Sequence, residues 1–366
     1  MQRNRFHSLC PYFAMFPESF VEDQLQMLTK RGDLVLDPFC GRGTTPFTSL
    51  LNERRAIGCD INDVAYCVSQ AKVASPARAT LIRRIDQLED EYADYSVPGD
   101  RLPTFFYRCY EPRTLRALLY LRSTLRWRRR KSDRMIAALV LGSLHGETNS
   151  SSSYLSNQMP RTISPKPAYS IRWWEKNNKK APRRDVFALL RDRIDFRYSS
   201  PRPEQEAKIV HGDFRHLPEW FDREMGSERA RVAITSPPYF DVTNFEEDQW
   251  LRLWFLGGPP HPTSNRLSQD NRTGYEVKYW NLISDMWRTL GRVISKTGHV
   301  VIRIGSRRIP PERLAQKLEG CAIFSGRRVE LISSTVSELK RRQTDRFRPG
   351  SRGVQVEIDC HFRFRR

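Results

Sequence analysis

"GDLVLDPFCGRGTT", residues 32–45, sets a short apolar run directly before two glycines and two threonines. The run is too brief for a helix and ends on Asp37, while "TTPFTSLLNER" continues with apolar residues at helical spacing. Strand, tight turn, helix is the reading. A second short run, "RRAIGCDIN" (54–62), ends on Asp60 and completes a βαβ unit, whose strands should be parallel. Five further strand patterns follow: "AKIVHGDF" (207–214), "RVAITSPPY" (231–239), "GHVVIRIGS" (298–306), "RRVELISSTVS" (327–337) and "VQVEIDCHF" (354–362). Helical patterns such as "YWNLISDMWRTLGRVI" (279–294) separate some of them. The economical assembly is an α/β, Rossmann-like, mostly parallel sheet of about seven strands, with room for an antiparallel last hairpin at one edge.

Composition frames that assembly. The 366 residues can bury a sizeable core. No stretch approaches the ~18 uncharged apolar residues of a membrane span, and "MQRNRFHSLCPYF" lacks the apolar core of a signal peptide. Seven cysteines without a C-x-x-C pair suggest neither a zinc site nor a disulfide framework. No metal is expected, and a reducing cytoplasm fits best. The charge is less ordinary. Lys and Arg number 62 against 42 Asp and Glu, a net +20, and residues 101–200 hold 22 basic against 7 acidic side chains, a net +15. Such a block is the footprint expected for a polyanion, with a solvated basic surface as the alternative.

Between the second and third strands the pattern changes for roughly 130 residues, far beyond ordinary connections in such folds. The chain therefore divides into a first catalytic part (1–75), a basic insertion (76–205) and a second catalytic part (206–366). "TLRALLYLRSTLRW" and "SDRMIAALVLGSLHG" in the insertion read as helices, the latter ending at Gly146. The polar stretch after it contains Tyr154, Tyr169, Trp173 and Trp174, residues costly to leave in a linker, so a structured binding loop is favoured over a mobile one.

The loop 36–45 carries the first chemistry. Gly41 and Gly43 at a strand-to-helix turn let backbone approach a ligand closely. The loop is not a phosphate loop, lacking G-K-[ST], nor the dinucleotide fingerprint, lacking the third glycine. Asp60, 17 residues past Gly43, stands at the second strand tip, where such folds place a carboxylate for ribose hydroxyls. Asp213 stands at the third. Asp37, Asp60 and Asp213 thus converge on the carboxyl edge of the sheet; each alone could equally be a helix cap, but together they favour a nucleoside-shaped ligand.

"DPFCGRGTT" (37–45) and "TSPPY" (235–239) together resemble the cofactor loop and catalytic motif of the S-adenosylmethionine-dependent DNA amino-methyltransferases, which methylate cytosine N4 or adenine N6. "HSLCPYFAMFPESFVEDQL" (7–25) is similar to the family segment that packs beside the cofactor. The resemblance covers about residues 7–75 and 205–306, not the insertion. It implies a class I methyltransferase fold, S-adenosylmethionine as cofactor and double-stranded DNA as substrate. It also implies cofactor contacts from Asp37, Phe39, Gly41, Gly43, Thr44, Asp60 and Asp213, and chemistry at Ser236, Pro237, Pro238 and Tyr239.

In that family the prolines hold the motif rigidly around the target base, at low cost because proline's φ is already fixed. By resemblance, the Ser236 hydroxyl and the Pro237 carbonyl accept hydrogen bonds from the exocyclic amine, and Tyr239 stacks on a base extruded from the duplex. Carbon-5 methylation would need a cysteine nucleophile in a Pro-Cys pair, which is absent; Cys40 reads as packing. Serine at the head of the motif leans toward cytosine N4, with adenine N6 as the alternative. An RNA amino-methyltransferase and a non-catalytic nucleic-acid subunit are further alternatives. The insertion, lying between the two motifs, corresponds to a target-recognition region. Asn244 and Glu246 read more readily as helix caps or solvated residues than as site groups, and the basic stretch 338–353 as phosphate-facing or solvated. A cognate restriction or defence partner is compatible with the family; the sequence chooses neither among host protection, regulation and a mobile element nor an oligomeric state.

Overall fold

All four residues of β1 (Leu34–Asp37) are buried, yet they divide between two cores: Leu34 and Leu36 join one apolar cluster, Val35 another. A strand buried on both faces is a central strand of a helix-covered sheet. The computed structural model describes residues 3–12, 16–97, 101–146, 152–160, 164–240, 245–264, 276–338, 354 and 356–365. Within them β1, β2 (Arg55–Asp60), β3 (Lys208–His211), β4 (Ala230–Thr235), β5 (Ile294–Gly305), β6 (Val329–Glu338) and β7 (Val356–Phe364) form one sheet in the order β3-β2-β1-β4-β5-β7-β6. The five strands from β3 to β5 are parallel, whereas β7 runs antiparallel to both β5 and β6. This is the mostly parallel sheet with an antiparallel hairpin that the sequence pattern predicts, and β7 lies inside β6 rather than outside it.

Helices cover both faces. One core joins the sheet to helices Leu217–Glu224, Glu276–Val293 and Pro311–Cys321, and another packs helix Glu18–Leu28 on β1, β4 and β5. The largest gathers helices Thr44–Leu51 and Asp63–Val73, which follow β1 and β2. Local chemistry fixes where these begin: Asn62 Oδ1 accepts from Val64 N at 2.8 Å to cap the second, while the first opens from Gly43 in the left-handed region.

The stretch 76–205 is helical throughout its described secondary structure, with helices 78–92, 104–109, 112–124, 131–141, 167–176 and 186–198. Its apolar residues, among them Leu81, Leu118, Ile136 and Ile194, belong to the same core as Phe47, Val64 and Val68 of residues 1–75. The stretch is therefore a layer grown onto that part rather than a body with its own core. Helix 131–141 ends at Gly142, one turn before the expected Gly146, and Leu9 of the amino-terminal segment lies so close that a Cβ at Gly142 would meet its carbonyl oxygen at 2.3 Å, which requires glycine there. Trp174 is fully buried and donates its Nε1 hydrogen to Gln158 O at 3.2 Å, anchoring the polar stretch, while Tyr169 is exposed. Asn244 and nearly all of the basic stretch 338–353 lie outside the described residues. No helix among the described residues is long and apolar enough to cross a membrane.

Candidate active site

Four strand tips meet at the carboxyl edge of the sheet. Asp37 ends β1, Asp60 ends β2, Asp213 follows β3 by two residues, and Thr235 ends β4 just before Ser236. Because β1 pairs with β2 on one side and β4 on the other, the glycine loop and the Ser-Pro-Pro-Tyr stretch leave adjacent strands. Two hydrogen bonds brace them: Thr235 Oγ1 donates to Asp37 Oδ1 at 2.7 Å, and Thr45 Oγ1 donates to Ile234 O at 3.1 Å.

The loop itself is held from three sides. Gly41 and Gly43 have φ of +50° and +75°, the region glycine enters without strain. At Gly43 a further constraint operates, since a Cβ there would lie 2.7 Å from Ser69 Cβ on helix 63–73. Close packing of that helix therefore demands glycine at 43 as strictly as a ligand would. Gly41 faces the Tyr12 ring, which also stacks on Phe245 with centroids 5.8 Å apart. The amino-terminal segment thus packs beside the loop, and it bridges to the helix that follows the Ser-Pro-Pro-Tyr stretch. Thr44, the first residue of helix 44–51, is buried, and Phe39 packs on Phe214 at 4.7 Å.

The three acids differ in what they do. Asp37 is buried, accepting from Thr235 and from Phe39 N (3.1 Å), and burial raises its carboxyl to about 7. Asp60 accepts from Gly41 N and Asn62 N, both at 2.9 Å, and so shapes the glycine loop from the neighbouring strand. Asp213 accepts from Arg215 N at 2.9 Å and pairs with the Arg215 guanidinium at 2.9 Å, so it serves as a helix cap. Burial first, and then Asp60, Asp213 and Asp37, raise the thiol of Cys59, and burial with Asp60 and Asp37 does the same for Cys40. Cys40 is a packed, protonated thiol rather than a nucleophile.

In the motif, Ser236 and Pro238 are partly exposed and Pro237 is buried. Tyr239 is 8 % exposed, and its hydroxyl donates to Glu357 Oε1 on β7 at 2.8 Å. Downstream, helices Phe245–Asp248 and Trp250–Phe255 run into the 76–205 layer. There Arg252 Nε donates to Leu141 O (3.1 Å) and Arg122 Nε to Trp254 O (2.8 Å). Glu246 is buried and accepts from Thr263 Oγ1.

The layer also reaches the acid-bearing edge. Arg128 clamps Asp63 through two bonds of 2.8 Å, and His211 lies 3.0 Å from the same carboxylate while stacking on Tyr66 at 4.6 Å. Asp63 opens its helix three residues after Asp60, so the turn 126–131 stands at this end of the sheet with Arg126, Arg129 and Arg130 exposed. Among the described residues, no His, Cys, Asp and Glu group is placed to hold a metal.

The site residues that sequence reasoning missed are Thr45, Thr235 and Glu357. The threonines lie within quoted motifs but have unremarkable side chains. Glu357 does carry a signal, since Glu357, Asp359, His361 and Arg363 alternate with buried Ile358, Cys360 and Phe362 along β7.

Residues 2–71 match the DNA methylase family of N6/N4 methyltransferases. Over 54 residues, 15% of this chain, the sequence is 44% identical to the orphan methyltransferase M.BamHII of Bacillus amyloliquefaciens, and the match spans 20% of that protein's length. Solved structures with similarity include the rRNA methyltransferase aviRa from Streptomyces viridochromogenes (11% identity, TM-score 0.39, covering 99% of this chain and 93% of that one). TrmN from Thermus thermophilus gives 10% identity and a TM-score of 0.38, covering 99% and 52%. The part of the chain that is similar to the DNA methylase family, residues 2–71, is thus the part that holds the glycine loop and Asp60.

Proposed function

We propose that this protein is a DNA methyltransferase that moves a methyl group from S-adenosylmethionine to the exocyclic amine of an extruded base, with cytosine N4 favoured over adenine N6. The observation that carries the reading is the brace of Thr235 on Asp37 and Thr45 on Ile234, which makes the glycine loop and the Ser-Pro-Pro-Tyr motif one rigid unit. A cofactor site and a base site held at fixed separation are what direct transfer between two ligands requires.

The residues suit the cofactor. The positive-φ turn at Gly41 and Gly43 brings backbone to the mouth of helix 44–51, where Thr44 and Phe39 complete the cradle. Asp60 and Asp213 stand at neighbouring tips with carboxylate oxygens suited to hydroxyl and amine donors, and Asp37 supports the loop from inside. When bound, S-adenosylmethionine supplies an electrophilic methyl on a sulfonium. The protein's part is orientation: the Ser236 hydroxyl and the Pro237 carbonyl accept from the exocyclic amine and turn its nitrogen lone pair toward the donor. The two prolines hold these acceptors without reorganisation, and Tyr239 offers its ring to the base. Serine rather than a carboxylate at 236 favours cytosine.

A base inside a duplex cannot reach such a pocket, so extrusion is part of the reaction. The 76–205 layer, with its exposed turn 126–131 beside the strand tips, is the target-recognition region in this reading. Incubation with unmethylated duplex DNA and methyl-labelled S-adenosylmethionine, followed by nucleoside mass spectrometry, tests it. N4-methylcytosine that disappears in Ser236→Ala supports the assignment, N6-methyladenine moves the base and keeps the mechanism, and label found only in RNA overturns the DNA substrate.

A further inference from the structure

Tyr239 is tethered at both ends. Its backbone follows two prolines, and its phenol donates at 2.8 Å to Glu357 Oε1. The other oxygen of that carboxylate, Oε2, lies 3.8 Å from Arg303 Nε. Arg303 in turn makes two 2.6 Å bonds to Asp359 and lays its guanidinium 3.9 Å over the Phe20 ring. All three charged groups are largely buried, their side chains 10 to 16 % exposed. Strand register builds the arrangement: β5 and β7 set Arg303 opposite Asp359 and Gly305 opposite Glu357. Gly305 leaves room for the phenol ring, since a Cβ there would lie 3.2 Å from Tyr239 Cε2.

A buried ionic network of this kind is a poor source of net stability, because desolvation offsets most of the attraction. It is a good means of fixing one geometry. We infer that Glu357, paired with an Arg303 that Asp359 fixes in place, is a positioning residue that sets the Tyr239 ring for the target base. The inference rests on the methyl-transfer reading for its functional meaning and on the geometry alone for the tether. Glu357 needs only an acceptor oxygen for this role, which glutamine supplies and alanine does not.

The test pairs kinetics with a spectroscopic probe of the ring. Glu357→Ala lowers kcat at least about tenfold while KM for S-adenosylmethionine stays within about twofold, and Glu357→Gln loses less than about threefold. In a Tyr239→Phe background Glu357→Ala adds less than about twofold, because the hydroxyl through which it acts is gone. Independently, 3-fluorotyrosine placed at 239 shifts its fluorine resonance in Glu357→Ala and holds near the wild-type position in Glu357→Gln. Equal losses from Glu357→Ala with and without the Tyr239 hydroxyl, or an unmoved fluorine signal, would overturn the inference. If the wild type methylates no nucleic acid, the functional reading fails while the fluorine signal still decides the tether.

Discussion

Thr235 Oγ1 and Asp37 Oδ1 lie 2.7 Å apart, so the last residue of β4 and the last residue of β1 are joined by one buried hydrogen bond. Replacing threonine with valine keeps the shape and removes the donor. Thr235→Val should destabilise the fold by about 1–3 kcal/mol, the cost of an acceptor left short of a partner in a buried site. It should also weaken S-adenosylmethionine binding. Urea unfolding and calorimetric titration read the two effects separately.

The same carboxyl gives a pH signature. Burial raises Asp37 from 3.8 to about 7, so between those values the folded protein keeps a proton that the unfolded chain has released. Stability contributed by this group therefore falls as pH rises through that window. Asp37→Asn retains the acceptor oxygen and cannot ionise. The variant should gain on the wild type by on the order of 1 kcal/mol per pH unit up to about pH 7, then hold a constant lead. A series of urea melts from pH 4 to 8 on both proteins checks the slope.

Gly43→Ala meets two obstacles, a φ of +75° and a Ser69 Cβ 2.7 Å from where its own would stand. We expect a loss of about 2 kcal/mol or more. Ser69→Gly in the same chain should recover the steric part and leave the backbone part, so thermal unfolding of the double variant falls between the single variant and the wild type.

Asp133 is fully buried, accepting from Arg84 Nε and from Arg126 N, both at 2.9 Å. Asp133→Ala strands the Arg84 guanidinium and should cost about 3–5 kcal/mol. Because residues 76–205 share one core with helices 44–51 and 63–73, the unfolding should stay a single transition, reported alike by fluorescence and by circular dichroism.

Arg129 and Arg130 on the exposed turn have no ion-pair partner among the described residues. If they face phosphates, the double alanine variant lowers the slope of log affinity against log salt by about 0.9 for each phosphate no longer neutralised. Fluorescence anisotropy with a labelled duplex at several salt concentrations measures it, with thermal stability unchanged.

The sheet was legible because its signals are local. Short runs such as 34–36 and 56–59 are buried on both faces, and each ends in an acid before a turn. The loop glycines and the motif were equally plain. What the sequence could not supply is which partner each side chain takes. Asp37 and Asp213 read as ligand groups or helix caps, and the bonds they make in the fold, to Thr235, Phe39 and Arg215, are decided by which strands become neighbours. Glu357 lies 118 residues from Tyr239, and only the antiparallel register of β7 brings it there. The extent of the 76–205 layer's union with the rest was hidden for the same reason. Helical spacing marks an apolar face without naming what it covers.

That union has a practical consequence for altering the protein. A recognition element that is an autonomous module can be exchanged between relatives as a chimera, with a junction cut at each linker. Here the junction would pass through packed Phe47, Val64, Leu118 and Trp254, leaving both halves with raw apolar faces. On the methyl-transfer reading, redirecting this protein to another target is accordingly a task for its surface turns, with the helices beneath them kept as the chassis.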